Sequence, residues 1–191
     1  MAKKQTRVAG RPAGSDSTRS AILKSARDAF ATAGYSGASI RAIATEAGVD
    51  PSTVIHFFTT KDGLFQAVIQ DVAQTSAPLL EALRNRASGT ELVKTYLTIW
   101  DNAESGPAMQ AIIRTSFSST RAMELFRATQ TRSFLEAVAS VTKDPLSAEL
   151  VMMQLIAIGM GRFIAALPEL SSQPIDVLAE RVGPLLDQYL A

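Results

Sequence analysis

The run Ile43-Ala44-Thr45-Glu46-Ala47-Gly48-Val49-Asp50-Pro51-Ser52-Thr53-Val54 sets the tightest demand on what this chain can fold into. Asp50 followed by Pro51 reads as a helix start, because the carboxylate can cap free N–H groups and proline fits the first helical position. A helix over 40–47, capped by Ser39 and ended by Gly48, comes just before it. Two short helices therefore meet across a turn of a few residues. Such a crossing needs a small residue on the first helix, which Ala44 supplies. It also needs a turn residue that tolerates positive φ, which Gly48 supplies four positions on. Val49 and Val54 then anchor the turn and the second helix. This Ala-x3-Gly-x5-Val spacing fits a helix-turn-helix and also fits two ordinary packed helices; the spacing leaves both open.

Charge is unevenly spread behind a net value of +1. Residues 1–61 carry nine Lys/Arg against four acids, a net of +5, and the remainder carries ten against fourteen, a net of −4. Only the N-terminal part has an electrostatic reason to approach phosphates. A solvated basic tail would show the same asymmetry, and charge alone does not decide between the two. Residues 1–16, with Lys3, Lys4, Arg7 and Arg11 among Gly and Pro, lack an apolar period and read as a flexible basic arm. A head over 17–62 and a larger unit over 63–191 follow.

The chain is 47% apolar and 19% charged, enough to bury a full core. Apolar residues recur at helical spacing throughout, and no stretch reads as a strand. The fold expected is all-α with about nine helices: 18–33, 40–47, 51–58, 63–86 bent or broken near Pro78, 91–100, 108–117, 121–141, 147–167 and 175–190, the last kinked or restarted at Gly183-Pro184. Gly34 stops the first helix, and Thr60 caps the fourth. Absence of cysteine excludes disulfides, thiolate metal sites and a Cys nucleophile, and suits a cytoplasmic protein. One histidine and no clustered acids leave little for catalysis, so no enzyme, metal or cofactor is expected. The apolar stretch 150–167 contains Gln154 and Arg162 and reads as a buried helix rather than a membrane span.

Residues 18–65 resemble the N-terminal domain of the TetR family of transcriptional repressors. The matching run is Gly34-Tyr35, Gly37-Ala38-Ser39-Ile40, Ile43-Ala44, Ala47-Gly48-Val49, Thr53, His56-Phe57-Phe58 and Lys61-Asp62-Gly63-Leu64-Phe65. The resemblance implies that the helix from Pro51 enters the major groove of duplex DNA, presenting Pro51, Ser52, Thr53, His56 and Phe57. It implies phosphate contacts from Ser39, Arg41 and Lys61, with Arg7 and Arg11 reaching a neighbouring groove. The family often has Tyr where this chain has Ile55 and Phe57, which removes two polar aromatics. The remainder resembles the family's ligand-binding and dimerisation domain in architecture. The small-residue stripe Ala157, Gly161 and Ala165 lets another helix approach closely, which fits a four-helix homodimer interface through 147–167 and 175–190 and also fits close packing within one subunit. The dimer would read a palindromic operator.

Large apolar residues of the middle helices are candidates for lining a hydrophobic effector pocket: Tyr96, Trp100, Met109, Ile113, Phe117, Phe126 and Met152, with Met123, Phe134, Met153 and Phe163 nearby. The same residues at helical spacing also make ordinary core. The alternative to a ligand-responsive regulator is a helical protein-interaction module that does not bind DNA.

Overall fold

The computed structural model describes residues 13–191 apart from Glu104, Ser140 and Lys143. The arm residues Arg7 and Arg11 lie outside the described residues, while 13–16 join the first helix.

Helix α1 spans Ala13–Gly37, interrupted at Gly34, whose φ of 67° and ψ of 176° leave the helical region. Helices α2 (Ile40–Glu46), α3 (Pro51–Phe58) and α4 (Lys61–Ala73) complete the head. One apolar face of each meets in a shared core of Ile22, Ala26, Phe30, Ile43, Ala44, Val54, Phe58, Leu64 and Phe65, all buried. Phe30 and Phe65 pack edge to face with ring centroids 4.9 Å apart, the arrangement that ring quadrupoles favour.

The body consists of α5 (Ala77–Arg84), α6 (Gly89–Asp101), α7 (Ser105–Ser116), α8 (Thr120–Phe126), α9 (Arg132–Ala139), α10 (Pro145–Gly159), α11 (Pro168–Ser172) and α12 (Ile175–Leu190). The architecture is all-α, as expected. Three of the expected helices divide, the first of them near Pro78 as expected and the other two where no break was expected. The stretch 63–86 breaks at a 3-10 turn over Gln74–Ser76, and Pro78 sits in the first turn of α5, where its missing N–H costs nothing. The stretch 121–141 contains a π turn, Arg127–Thr131, between α8 and α9. The stretch 147–167 starts earlier, at the Asp144 cap, and passes into a π turn over Met160–Ile164, and α11 follows as a helix of its own. Those three divisions turn nine helices into twelve among the described residues. Helix α12 runs through Pro184 without restarting.

The segment Pro145–Ile164 is long and apolar enough to cross a membrane by length and composition. Here α10 buries Ala148, Val151, Leu155, Ile158 and Gly159 against the body, and leaves Leu146 and Met153 exposed. One face of the helix is thus covered by the body and one is not.

Helices α6 and α12 approach backbone to backbone. A Cβ on Gly183 would collide with the backbone nitrogen of Thr90, and one on Gly89 with the carbonyl oxygen of Gly183. Beside this crossing Asp187 accepts a 2.6 Å hydrogen bond from the Gly89 N–H.

Head and body are joined in two ways. The Thr115 hydroxyl of α7 donates to the Phe30 carbonyl at 3.0 Å in a buried position. At the surface, Asp62 in the first turn of α4 accepts from the Tyr35 hydroxyl and from Arg121 Nε at 2.9 Å, and Arg121 also holds Glu124 at 2.9 Å. The bond from Tyr35, then those from Arg121, hold the Asp62 carboxyl below its usual range. Burial and the same carboxylate push the Tyr35 phenol up to about 12.

Two outcomes follow for stability. Gly183→Ala should lower the unfolding free energy by about 1–3 kcal/mol in urea titration, the usual cost of overpacking, because backbone rather than a mobile side chain must yield. Asp62 has a lowered folded-state pKa, so its contribution is complete above the ordinary carboxylate value and lost as pH falls through the lowered one. Urea unfolding of Asp62→Asn between pH 6 and pH 2 should therefore lose less stability on acidification than the parent protein.

Candidate nucleic-acid interface

The helix-turn-helix is built by backbone hydrogen bonds that only one turn conformation allows. The Val49 N–H donates to the Ala44 carbonyl at 3.0 Å, and the Gly48 N–H to the Thr45 carbonyl at 3.1 Å. This Schellman pattern satisfies the last carbonyls of α2 and requires a left-handed residue between them. Gly48 adopts φ 66°, and a Cβ there would meet no neighbour within 4 Å, so the demand for glycine is one of backbone conformation and not of space. Ala44 and Val54 are fully buried where the two helices cross, and Val49 packs half-buried against the core.

Helix α3 is started by Asp50, which accepts from the Ser52 backbone N–H at 2.8 Å and from the Ser52 hydroxyl at 2.6 Å. These bonds, the hydroxyl's first, hold the Asp50 carboxyl below its usual range. With Val54 and Phe58 buried and Phe57 half-buried, the outward face of α3 carries Pro51, Ser52, Ile55 and His56, with half-buried Thr53 at its flank. The Ser52 hydroxyl hydrogen is committed to Asp50. Its free lone pairs suit an amino donor such as cytosine N4 or adenine N6, and not a phosphate, which needs a donor.

Ser39 caps α2, accepting from the Ala42 N–H at 3.2 Å, and Arg41 is exposed in the same first turn. Lys61 opens α4, which Thr60 caps by accepting from the Gly63 N–H at 3.0 Å. The Lys61 ammonium lies 3.3 Å from the Ser36 carbonyl and 4.8 Å from the centre of the Tyr35 ring. Burial draws its pKa down, although Asp62 opposes the shift. One of its three N–H groups serves Ser36, and two remain for an anion. His56 meets Phe57 edge-on, 5.6 Å between centroids. Ser39, Arg41, Pro51, Ser52 and His56 are thus exposed on α2 and α3; Thr53 and Phe57 are half-buried, and Lys61 is partly tied to α1. Sequence reasoning treated Ile55 only as a missing tyrosine. Its outward direction follows from helical phase, one turn after Ser52.

Two of the concavities among the described residues are of opposite character. A cleft of about 840 Å³ between α1, α4, α6 and α7 is open and polar, with Arg27 paired to Asp71 at 2.7 Å in its wall. Hydroxyls of Thr75, Thr98 and Ser105 beside it already serve backbone carbonyls. A smaller cavity of about 80 Å³ is lined by Tyr96, Met109, Ile113, Phe126 and Met152 among the expected residues, together with Phe134. Leu79, Leu80 and Ser76, which were not among the expected lining residues, also face it from the 3-10 turn and α5.

Two expected pocket residues lie elsewhere. Phe117 ends α7 and is 57% exposed, because the helix stops at Ser116 and the chain turns outward. Trp100 is buried but stacks on Phe163 at 5.5 Å and presses on Gly159, so its ring fills the α6–α10 contact and does not line the cavity.

Two family models match: bacterial regulatory proteins of the tetR family over residues 22–68, and a tetracyclin repressor-like C-terminal domain over residues 87–190. The HTH-type transcriptional regulator UidR of Escherichia coli K12 is 37% identical over 67 residues, which is 35% of this chain and 34% of that protein. RutR of the same strain, also an HTH-type transcriptional regulator, is 28% identical over 81 residues, 42% of this chain and 38% of that protein. The matched segments thus span little more than a third of these curated relatives. Among solved structures, a TetR-family regulator from Streptomyces coelicolor A3 shares 31% identity with a TM-score of 0.72, covering 95% of this chain and 99% of that one. FadR from Bacillus subtilis, crystallised with stearoyl-CoA, shares the fold at 13% identity, with a TM-score of 0.67 over 90% of this chain and 99% of that one. With the C-terminal model covering more than half of the chain and the helix-turn-helix matching the N-terminal one, the protein belongs to the TetR family of DNA-binding transcriptional regulators.

Proposed function

We propose that the protein is a cytoplasmic, homodimeric repressor that binds a palindromic operator and is released by a small hydrophobic effector. The observation carrying the DNA-binding half is the α2–α3 unit. Its turn is locked by the Gly48 Schellman bonds, and it presents Ser52, Ile55 and His56 outward, with Ser39, Arg41 and Lys61 beside them. In this reading α3 lies in the major groove, Ser52 and Thr53 address bases, and Ser39, Arg41 and Lys61 hold phosphates.

Dimerisation is assigned to the uncovered faces of α10 and α12. Leu146, Met153 and Leu185 are exposed apolar residues on these helices, and a second copy related by a two-fold axis would cover them. The effector site is assigned to the apolar cavity. At about 80 Å³ it is nearly closed, so a ligand must move Met109, Met152, Phe126 or Phe134 to enter. Its lining is apolar apart from Tyr96 and Ser76, which favours a neutral molecule with little polar surface. Phe126 lies on α8, whose first turn carries Arg121 against Asp62 of α4. Displacing Phe126 would therefore disturb the seat of the head.

Gel shifts at two salt concentrations test the DNA reading, because phosphate contacts give a steep loss of affinity with salt and a protein-interaction module gives no duplex binding. Lys61→Ala should weaken all duplexes alike and reduce the salt slope by about one, whereas Thr53→Ala should reorder the preferred sequences. Sedimentation of Met153→Asp should show monomers, with operator affinity reduced and the protomer's melting transition retained. A dimeric variant would place the interface elsewhere.

A further inference from the structure

Among the described residues of the head, Ile55 is the only large apolar side chain that is exposed, at 44%. It sits in the middle of α3, one turn after Ser52 and beside His56, and it is absent from the apolar residues packed on the core. The neighbours that share its helix behave differently: Val54 and Phe58 are buried, and Phe57 packs half-buried. Isoleucine's branched Cβ also restricts its χ1 in a helix, so its methyl groups are held in one direction. A groove-facing side chain with no donor or acceptor cannot pair with a phosphate or with most base edges. The C5-methyl of thymine is the apolar feature that the major groove offers.

We propose that Ile55 is a specificity-determining residue that selects thymine in each half-site by burying the thymine methyl against its side chain. The inference rests on the DNA-binding reading above and adds to it a base identity. It also gives the replacement of the family's frequent tyrosine a consequence: this position trades a hydrogen-bonding aromatic for a methyl reader. Ser52, one turn earlier and limited to accepting, would read an amino group on an adjacent base. Together they predict a step in which a thymine adjoins an adenine or cytosine.

The test uses the full chain and the duplex it selects from a random-sequence pool. Each thymine of that duplex is replaced in turn by uracil, which removes only the methyl. Binding is measured for the parent protein, Ile55→Ala and Thr53→Ser, the last removing the other methyl on this face. The parent should lose about fourfold in affinity per half-site at one thymine position, the value of one buried methyl. Ile55→Ala should bind the thymine and uracil duplexes equally, while Thr53→Ser keeps the parent's difference. Because Ile55 is not part of the core, its variant should melt with the parent. Equal loss on uracil in parent and Ile55→Ala would overturn the proposal, as would a parent indifferent to every thymine methyl. If methyl sensitivity vanishes in Thr53→Ser instead, the reader is Thr53 and the proposal falls. Failure to select any duplex would overturn the DNA-binding reading itself, and this inference with it.

Discussion

Helix α4 carries one continuous core from the head into the body, and the rest of the structure depends on that. Its first half, Leu64 and Phe65, closes the head against Phe30 and Tyr35. Its second half, Val68, Ile69 and Val72, is equally buried as the chain enters the body. A rod buried on both sides of a domain boundary cannot tilt at one end without disturbing the other, because interiors are packed densely enough to transmit displacement. The boundary that looks natural in sequence, near residues 62–63, therefore falls inside the first turn of one continuous helix. The head is mounted on the body rather than tethered to it.

The electrostatics of the joint follow from the same mounting. Asp62 is a helix-first-turn acid, which the dipole favours on its own. The fold adds Tyr35 from the end of α1 and Arg121 from the start of α8, converting a local capping residue into a three-element contact. Lys61 beside it rests its ammonium on the Ser36 carbonyl and the Tyr35 ring. On the recognition helix, Asp50 plays a similar double part. It starts α3 and, by holding the Ser52 hydroxyl hydrogen, leaves Ser52 only acceptor sites on its outward side.

The apolar cavity is narrow for a ligand site, with room for roughly three waters' share of volume. Its walls are the adaptable kind, two methionines and two phenylalanines, and a π turn lies between Phe126 and Phe134. Walls of this kind can yield, and in the reading proposed above the opened arrangement is the one an effector would hold. An effector then shifts the balance only by as much as it prefers the opened arrangement.

The helix-turn-helix was legible in the sequence because its causes are local. Gly48 is needed for its φ, Asp50 and Pro51 start the next helix through bonds within three residues, and Ala44 is small where two adjacent segments cross. The all-α class was legible for the same reason, since the 3.6-residue period is written along each segment. What lay beyond the sequence depends on residues far apart. Trp100 and Met109 look alike as large apolar residues at helical spacing. Only packing of α6 on α10 decides that one fills a contact and the other faces a cavity. Arg121 and Asp62, 59 positions apart, meet because α8 is folded back onto the head. The direction of Ile55 lies between these extremes: its helical phase is in the sequence, while its exposure had to wait for Val54 and Phe58 to take the core. Local hydrogen bonding is determined by neighbours in the chain, and burial by neighbours in space. That difference separates what this sequence determined about its DNA-binding unit from what the tertiary structure alone decided about cavity, joint and reading face.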